Sequence, residues 1–159
     1  MPQPGSYALI SLNVLPIGGK NTLVVEETLM AYMQDDTTPV ISVYPNQGDI
    51  VLPPNLRGQQ PRPFAFVVRY DMSGLGAGYV WHSDPTQCVA IGPAGTVPVF
   101  GQPLPNGFIG PKNQGGEVTF IDPNNTNDRK EYEYRLQLYP ATGGDPIILD
   151  PKITNSGSN

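Results

Sequence analysis

Short runs in which apolar and polar residues alternate, separated by glycine and proline, set the character of this chain. Residues 64–71 place Phe64, Phe66, Val68 and Tyr70 on one side and Ala65, Val67, Arg69 and Asp71 on the other. That period of two, with aromatic residues sharing a side, predicts a strand at the centre of the core. Residues 131–138 repeat the pattern, with Tyr132, Tyr134, Leu136 and Leu138 against Glu131, Glu133, Arg135 and Gln137. A strand with one buried and one wet face is expected there, returning through 147–149 after the turn formers of 141–145. Shorter runs at 7–15, 79–81 and 117–121 predict further strands, and 88–91 and 97–100 are two more short apolar runs. Residues 40–44 and 49–52, joined by Pro45-Asn46-Gln47-Gly48, read as a tight hairpin.

Two segments resist this reading. In residues 22–34, Val25, Leu29, Tyr32 and Met33 fall at helical spacing, and Glu26, Glu27, Leu29, Met30 and Ala31 are good helix formers, so one short helix is expected there. Read instead as a strand, Leu23, Val25, Leu29, Ala31 and Met33 share a face interrupted by Glu27. Residues 101–116 are nearly all turn formers around the apolar pair Phe108-Ile109, and a loop of that length predicts a functional loop, a mobile one or an interaction arm.

Composition narrows the class. With 18 Gly and 19 Pro in 159 residues, long helices are excluded, and many short strands with turns between them favour two packed sheets. The expected fold is all-β: a single-domain antiparallel β-sandwich over residues 1–154, cupredoxin-like or jelly-roll-like, with a flexible tail at 155–159. Nine basic residues, scattered along the chain, stand against fourteen acidic ones for a net charge of −5, which repels a phosphate backbone and argues against nucleic acid as partner. No apolar stretch reaches the roughly 18–20 residues of a membrane span, and the opening residues lack the basic and apolar regions of a secretory leader. A cytoplasmic location without membrane insertion is the expectation.

Candidate chemistry is sparse because His82, Cys88 and Trp81 are each the only residue of their kind. A single imidazole leaves neither the two histidines of a blue-copper site nor a convincing nucleophile, base and orienting acid. A single cysteine forms no internal disulfide. Gly74, Gly76 and Gly78 follow a strand as dinucleotide-binding glycines do, but the next run, Tyr79-Val80-Trp81, predicts a strand where the phosphate site requires a helix N-terminus. No cofactor and no catalytic residue is therefore expected. Asp122, Asn124, Asn125 and Asp128 gather oxygen donors in one turn and are the candidate calcium ligands, without the Gly and Glu of a helix-loop-helix site. Trp81 and Tyr79, beside the glycine loop, form a candidate aromatic platform for a glycan or a protein contact, and the alternative reading makes Trp81 a core residue of the sandwich. Phe108 and Ile109 are the candidate contacts of the arm.

The stretch Tyr-Glu-Tyr-Arg-Leu-Gln-Leu-Tyr-Pro at 132–140, the turn at 141–146 and the ending Asp150-Pro151-Lys152-Ile153 resemble the closing hairpin of bacterial cupredoxin-like β-sandwich proteins of the AidA/PixA inclusion-body type. The step Gly48-Asp49-Ile50-Val51 resembles the Gly-Asp turn that opens a core strand in that family, whereas Leu149 stands where the family has an aromatic residue. The resemblance implies a metal-free sandwich of a bacterial cytoplasm with no established enzymatic activity and no catalytic residues to carry over. The expected function is non-enzymatic: self-association into a homo-oligomer or an inclusion-body-like assembly, or binding of a protein partner, with the 101–116 arm and the strand edges as contacts. The alternatives are a carbohydrate-binding module using the Trp81 patch and a structural subunit of a virion or fibre.

Overall fold

In the computed structural model, which describes residues 6–33, 37–46, 48–53, 63–124, 130–150 and 152–155, the chain begins with β1 (Ser6–Ile17) and β2 (Lys20–Met33). Gly18 and Gly19, at φ 59° and 78°, turn between them. Two successive left-handed residues make the hairpin turn whose twist suits flanking strands, a conformation that costs glycine nothing sterically. There follow β3 (Pro39–Pro45), β4 (Ile50–Leu52), β5 (Phe64–Tyr70), β6 (Tyr79–Val80), β7 (Val89–Pro93), β8 (Ile109–Gln114), β9 (Glu117–Asp122), β10 (Lys130–Pro140), β11 (Ile147–Leu149) and β12 (Lys152–Asn155).

These strands form two sheets. The first runs β3-β2-β1-β5-β9-β8, antiparallel throughout except between β1 and β5. The second runs β11-β10-β12-β4, with β6 and β7 on the other edge of β10 and a parallel pairing of β12 with β4. The fold is thus all-β and mostly antiparallel, as the alternation predicts. Alternate residues from both sheets meet in one core: Ile10, Leu12 and Val14 from β1, Phe64, Phe66 and Val68 from β5, Phe120 from β9, and Tyr134, Leu136 and Leu138 from β10. Phe66 and Phe120, opposite each other across β5 and β9, stack with centroids 4.8 Å apart. The Tyr134 hydroxyl, fully buried, donates to the Gly48 carbonyl at 2.7 Å, which satisfies the one polar group its ring carries inside.

Four expectations are corrected. Residues 22–33 form a strand and not a helix. Ser11 faces Glu27 while Leu12 faces Val25, so Glu26 is an extra residue, a β-bulge, and the buried positions run Leu23, Val25, Thr28, Met30. The inserted residue changes one spacing from two to three, and that break mimics helical periodicity. Residues 40–44 and 49–52 do not pair with each other: β3 joins the first sheet beside β2, and β4 crosses to the second beside β12. The outward face of β10 is only partly wet. Gln137 is buried and its side-chain amide donates to the Gln87 carbonyl at 2.6 Å, while Arg135 donates to the Pro98 carbonyl at 3.1 Å and lies 5.2 Å from the Phe100 ring. The chain just before β7, at Gln87, and the chain between β7 and β8, at Pro98 and Phe100, therefore cover that end of the second sheet. Finally, residues 109–114 of the expected arm are a strand at the edge of the first sheet, bulged between Ile109 and Lys112, with a cis Gly110-Pro111 bond. At the chain's far end β12 continues through Asn155, one residue into the expected tail, and residues 156–159 lie outside the described residues.

Candidate functional site

The first sheet presents to solvent a side that simple alternation assigns to polar residues. β1 turns Ala8, Ile10, Leu12 and Val14 inward, which leaves Tyr7 and Leu9 outward. Below its bulge β2 turns Thr28 and Met30 inward and Leu29 and Ala31 outward. β5 buries Phe64, Phe66 and Val68 and points Ala65 and Val67 the other way, and β9 buries Val118 and Phe120 and points Thr119 and Ile121 outward. Strand register then aligns these residues across the whole sheet. Ile41, Ala31, Tyr7, Ala65, Ile121 and Ile109 are successive partners from β3 to β8. Beside them Val43, Leu29, Leu9 and Val67 form a second row that ends at Thr119 and Lys112. Ile41 is 69% exposed, Ile109 56%, Val43 48% and Tyr7 41%.

A third row bounds this face with polar groups. Glu27, Ser11 and Arg69 are neighbours on β2, β1 and β5, and the Arg69 guanidinium reaches the Ser11 hydroxyl at 3.5 Å. The face is thus an apolar field, six strands wide in its first row and four in its second, with Lys112 at its β8 edge and a charge of each sign on opposite sides of β1. Strands that are apolar on both sides are the signature of sheets covered on both faces. Among the described residues, the chain's own core covers only one.

The structure distributes the sequence-derived candidates differently from expectation. Trp81 is a core residue, 8% exposed, its indole N–H donating to the Gly116 carbonyl at 2.8 Å and its ring edge-on to Tyr70 at 5.5 Å. A ring so enclosed offers no free face for a sugar, so of the two readings of Trp81 the core position is the one observed. Tyr79 is half-buried, its hydroxyl accepting from the Asn21 side-chain amide at 3.1 Å and its carbonyl from the Tyr70 hydroxyl at 2.8 Å. Phe108 packs edge-on against Tyr132 at 5.2 Å, on the core side. Ile109 alone of the four stands in the exposed apolar row.

His82 and Cys88 are neighbours, but they are used in shaping a turn. The His82 Nδ1 accepts the Asp84 backbone N–H at 2.9 Å, which fixes the neutral ring as the Nε2–H tautomer, and its carbonyl accepts from the Asn113 amide at 2.9 Å and the Cys88 thiol at 3.3 Å. Burial pushes the Cys88 thiol up to about 11, with some help from the Asp84 charge. The Asp84 carboxylate, held below its ordinary range by the Thr86 hydroxyl and N–H, caps the next turn. Of the calcium candidates, Asp122 and Asn124 are buried at the end of β9, where the Asn124 N–H donates to Asp122 at 2.8 Å and its side-chain amide to the Pro53 carbonyl at 3.4 Å. Asn125 and Asp128 lie outside the described residues. Among the described residues no group of three or more His, Cys, Asp or Glu is placed to hold a metal ion, and no helix is long and apolar enough to cross a membrane.

No protein-family model matches this chain, and no curated protein aligns with it significantly. Sequence reasoning misses the outward apolar rows because it takes each strand to have one buried face. Their signal is present in the apolar residues at both odd and even positions of 7–10, 40–43 and 64–68.

Proposed function

We propose that this chain is a non-enzymatic β-sandwich, cupredoxin-like or jelly-roll-like in arrangement, that acts by self-association through the outer face of its six-stranded sheet. The observation that carries this reading is the apolar row from Ile41 to Ile109, partnered strand by strand across the sheet. Soluble monomers rarely expose a contiguous apolar patch of more than a few hundred Å², and larger ones mark interaction surfaces.

The sheet's edges are less suited to the task. β3 begins and ends with proline, and β8 carries Pro111 and a bulge. Proline and bulges blunt edge strands against adding another strand, which leaves the face as the surface for association. The non-enzymatic part of the reading is supported by the engagement of His82 and Cys88 in local turns. The resemblance of the closing hairpin to bacterial inclusion-body proteins fits a cytoplasmic protein of this kind. Burial of Trp81 favours self-association over glycan binding.

Sedimentation velocity of the full chain over a dilution series tests the reading. Val67→Asp places a charge in the middle of the face without touching the core, so it is expected to convert an associating protein into one that sediments as a single chain with an unchanged far-ultraviolet spectrum. A wild-type protein that sediments as a single chain at every soluble concentration overturns the proposal.

A further inference from the structure

The arrangement of the face also says which partner fits it. Accepting the reading above, we infer that the occupant is one second copy of this chain, packed face to face about a two-fold axis that runs along β1. Three observations support it. The first is charge. Glu27 and Arg69 flank Ser11 in one register row, one strand to either side of β1. Rotation by a half-turn about β1 exchanges the β2 and β5 positions, so Glu27 of each copy meets Arg69 of the other, twice per dimer. An isologous contact requires this kind of self-complementarity.

The second is relief. The same rotation sets Ala31 opposite Ala65, Leu29 opposite Val67 and Ile41 opposite Ile121, and brings the two Tyr7 rings together. Tyr7 has an alanine on either side in its row, Ala31 on β2 and Ala65 on β5. Each ring therefore has a shallow seat beside the ring of the other copy, where two equal knobs would otherwise collide. Strands of the two sheets remain nearly aligned, the ordinary arrangement for sheets packed face to face.

The third is area. Under this rotation the strands from β3 to β9 face one another and β8 lies beyond the overlap, so four strand spacings of about 4.8 Å and six residues of about 3.4 Å span roughly 19 by 20 Å. That is roughly 390 Å² in projection, and the protruding Ile41 and Tyr7 side chains raise the accessible area towards the roughly 600 Å² per partner at the small end of stable interfaces.

Charge reversal tests the two-fold directly. Glu27→Arg and Arg69→Glu are made separately in the full chain. Each is expected to sediment near the 17.2 kDa of one chain at concentrations where the wild type sediments at about twice that mass, because each sets like charges against each other in its own dimer. An equimolar mixture of the two is expected to recover the doubled mass, since one copy then carries a positive charge at both positions and the other a negative charge at both. Pairing of these residues within one chain could not produce recovery on mixing. A dimer that Val67→Asp disrupts but the two reversals leave intact overturns the two-fold and leaves the face standing. A wild-type monomer overturns both. Assemblies that grow beyond two chains overturn the closed dimer, as does a dimer indifferent to Val67→Asp.

Discussion

Gly76 shows how one position can be fixed by space alone. It follows β5 in the 3-10 turn Gly74–Gly78, is buried, and a Cβ built on it would stand 1.8 Å from the Asp71 carbonyl oxygen. The obstacle is backbone, so no rotamer change relieves it. Gly76→Ala is expected to cost about 1–3 kcal/mol, the range of an overpacked interior site, read as a lower urea midpoint at unchanged slope. Cys88 shows the same dependence on surroundings through its proton. Its folded-state pKa of about 11 lies above the roughly 8.5 of a free thiol. The fold therefore disfavours the thiolate, and the stability this confers is complete below about pH 8.5 and is lost as pH rises through about 11. Tyr134, raised well above its ordinary value mainly by burial, adds to the loss in the alkaline range. Cys88→Ala is therefore expected to lose less stability than the wild type between about pH 8.5 and 11 in urea titrations, and the native thiol to resist alkylation at pH 8.

At the scale of elements, the bulge in β2 decides which side chains reach the core. Deleting Glu26 removes the residue that has no opposite number in β1, and Val25 and Glu27 keep their partners Leu12 and Ser11. That deletion is expected to retain the fold and lose less than about 1 kcal/mol, since every inward residue stays inward. Deleting Leu29 instead reverses the end of the strand, turning Met30 outward and Ala31 inward, and is expected to cost about 2–5 kcal/mol, comparable to truncating a buried methionine to alanine. Thermal melts of the two deletions separate these outcomes. The bulge also explains why this strand misleads while β5 and β10 are legible. Phe64 to Tyr70 and Tyr132 to Leu138 keep a strict period of two, and local pattern suffices for them. A single inserted residue is invisible without the partner strand that defines the register, and so is the crossing of β4 to the second sheet. Gln137 and Arg135 read as wet for a related reason: the chain that covers them comes from some 40 to 50 residues earlier.

For the whole molecule, the decisive asymmetry is between two adjacent residues. Val67 and Val68 have the same side chain, yet Val68 is fully buried in the core and Val67 stands outward beside Leu9. Val68→Asp puts a carboxylate where no water follows, and such a change is expected to abolish folding. Val67→Asp leaves the interior untouched, and its effect is confined to whatever meets the outer face. If that is a second copy, association stabilises the native chain by mass action, because the unfolded chain has no sheet to dock. The wild type is then expected to melt at a temperature that rises with protein concentration, while Val67→Asp melts at one temperature throughout and matches the wild type at high dilution. Calorimetric scans over a hundredfold concentration range check this without any knowledge of a ligand. A wild-type melting temperature independent of concentration would mean that the apolar rows contribute nothing between copies. The continuous apolar runs of β1 and β5 would then need some other cover, since the core accounts for only alternate residues in each.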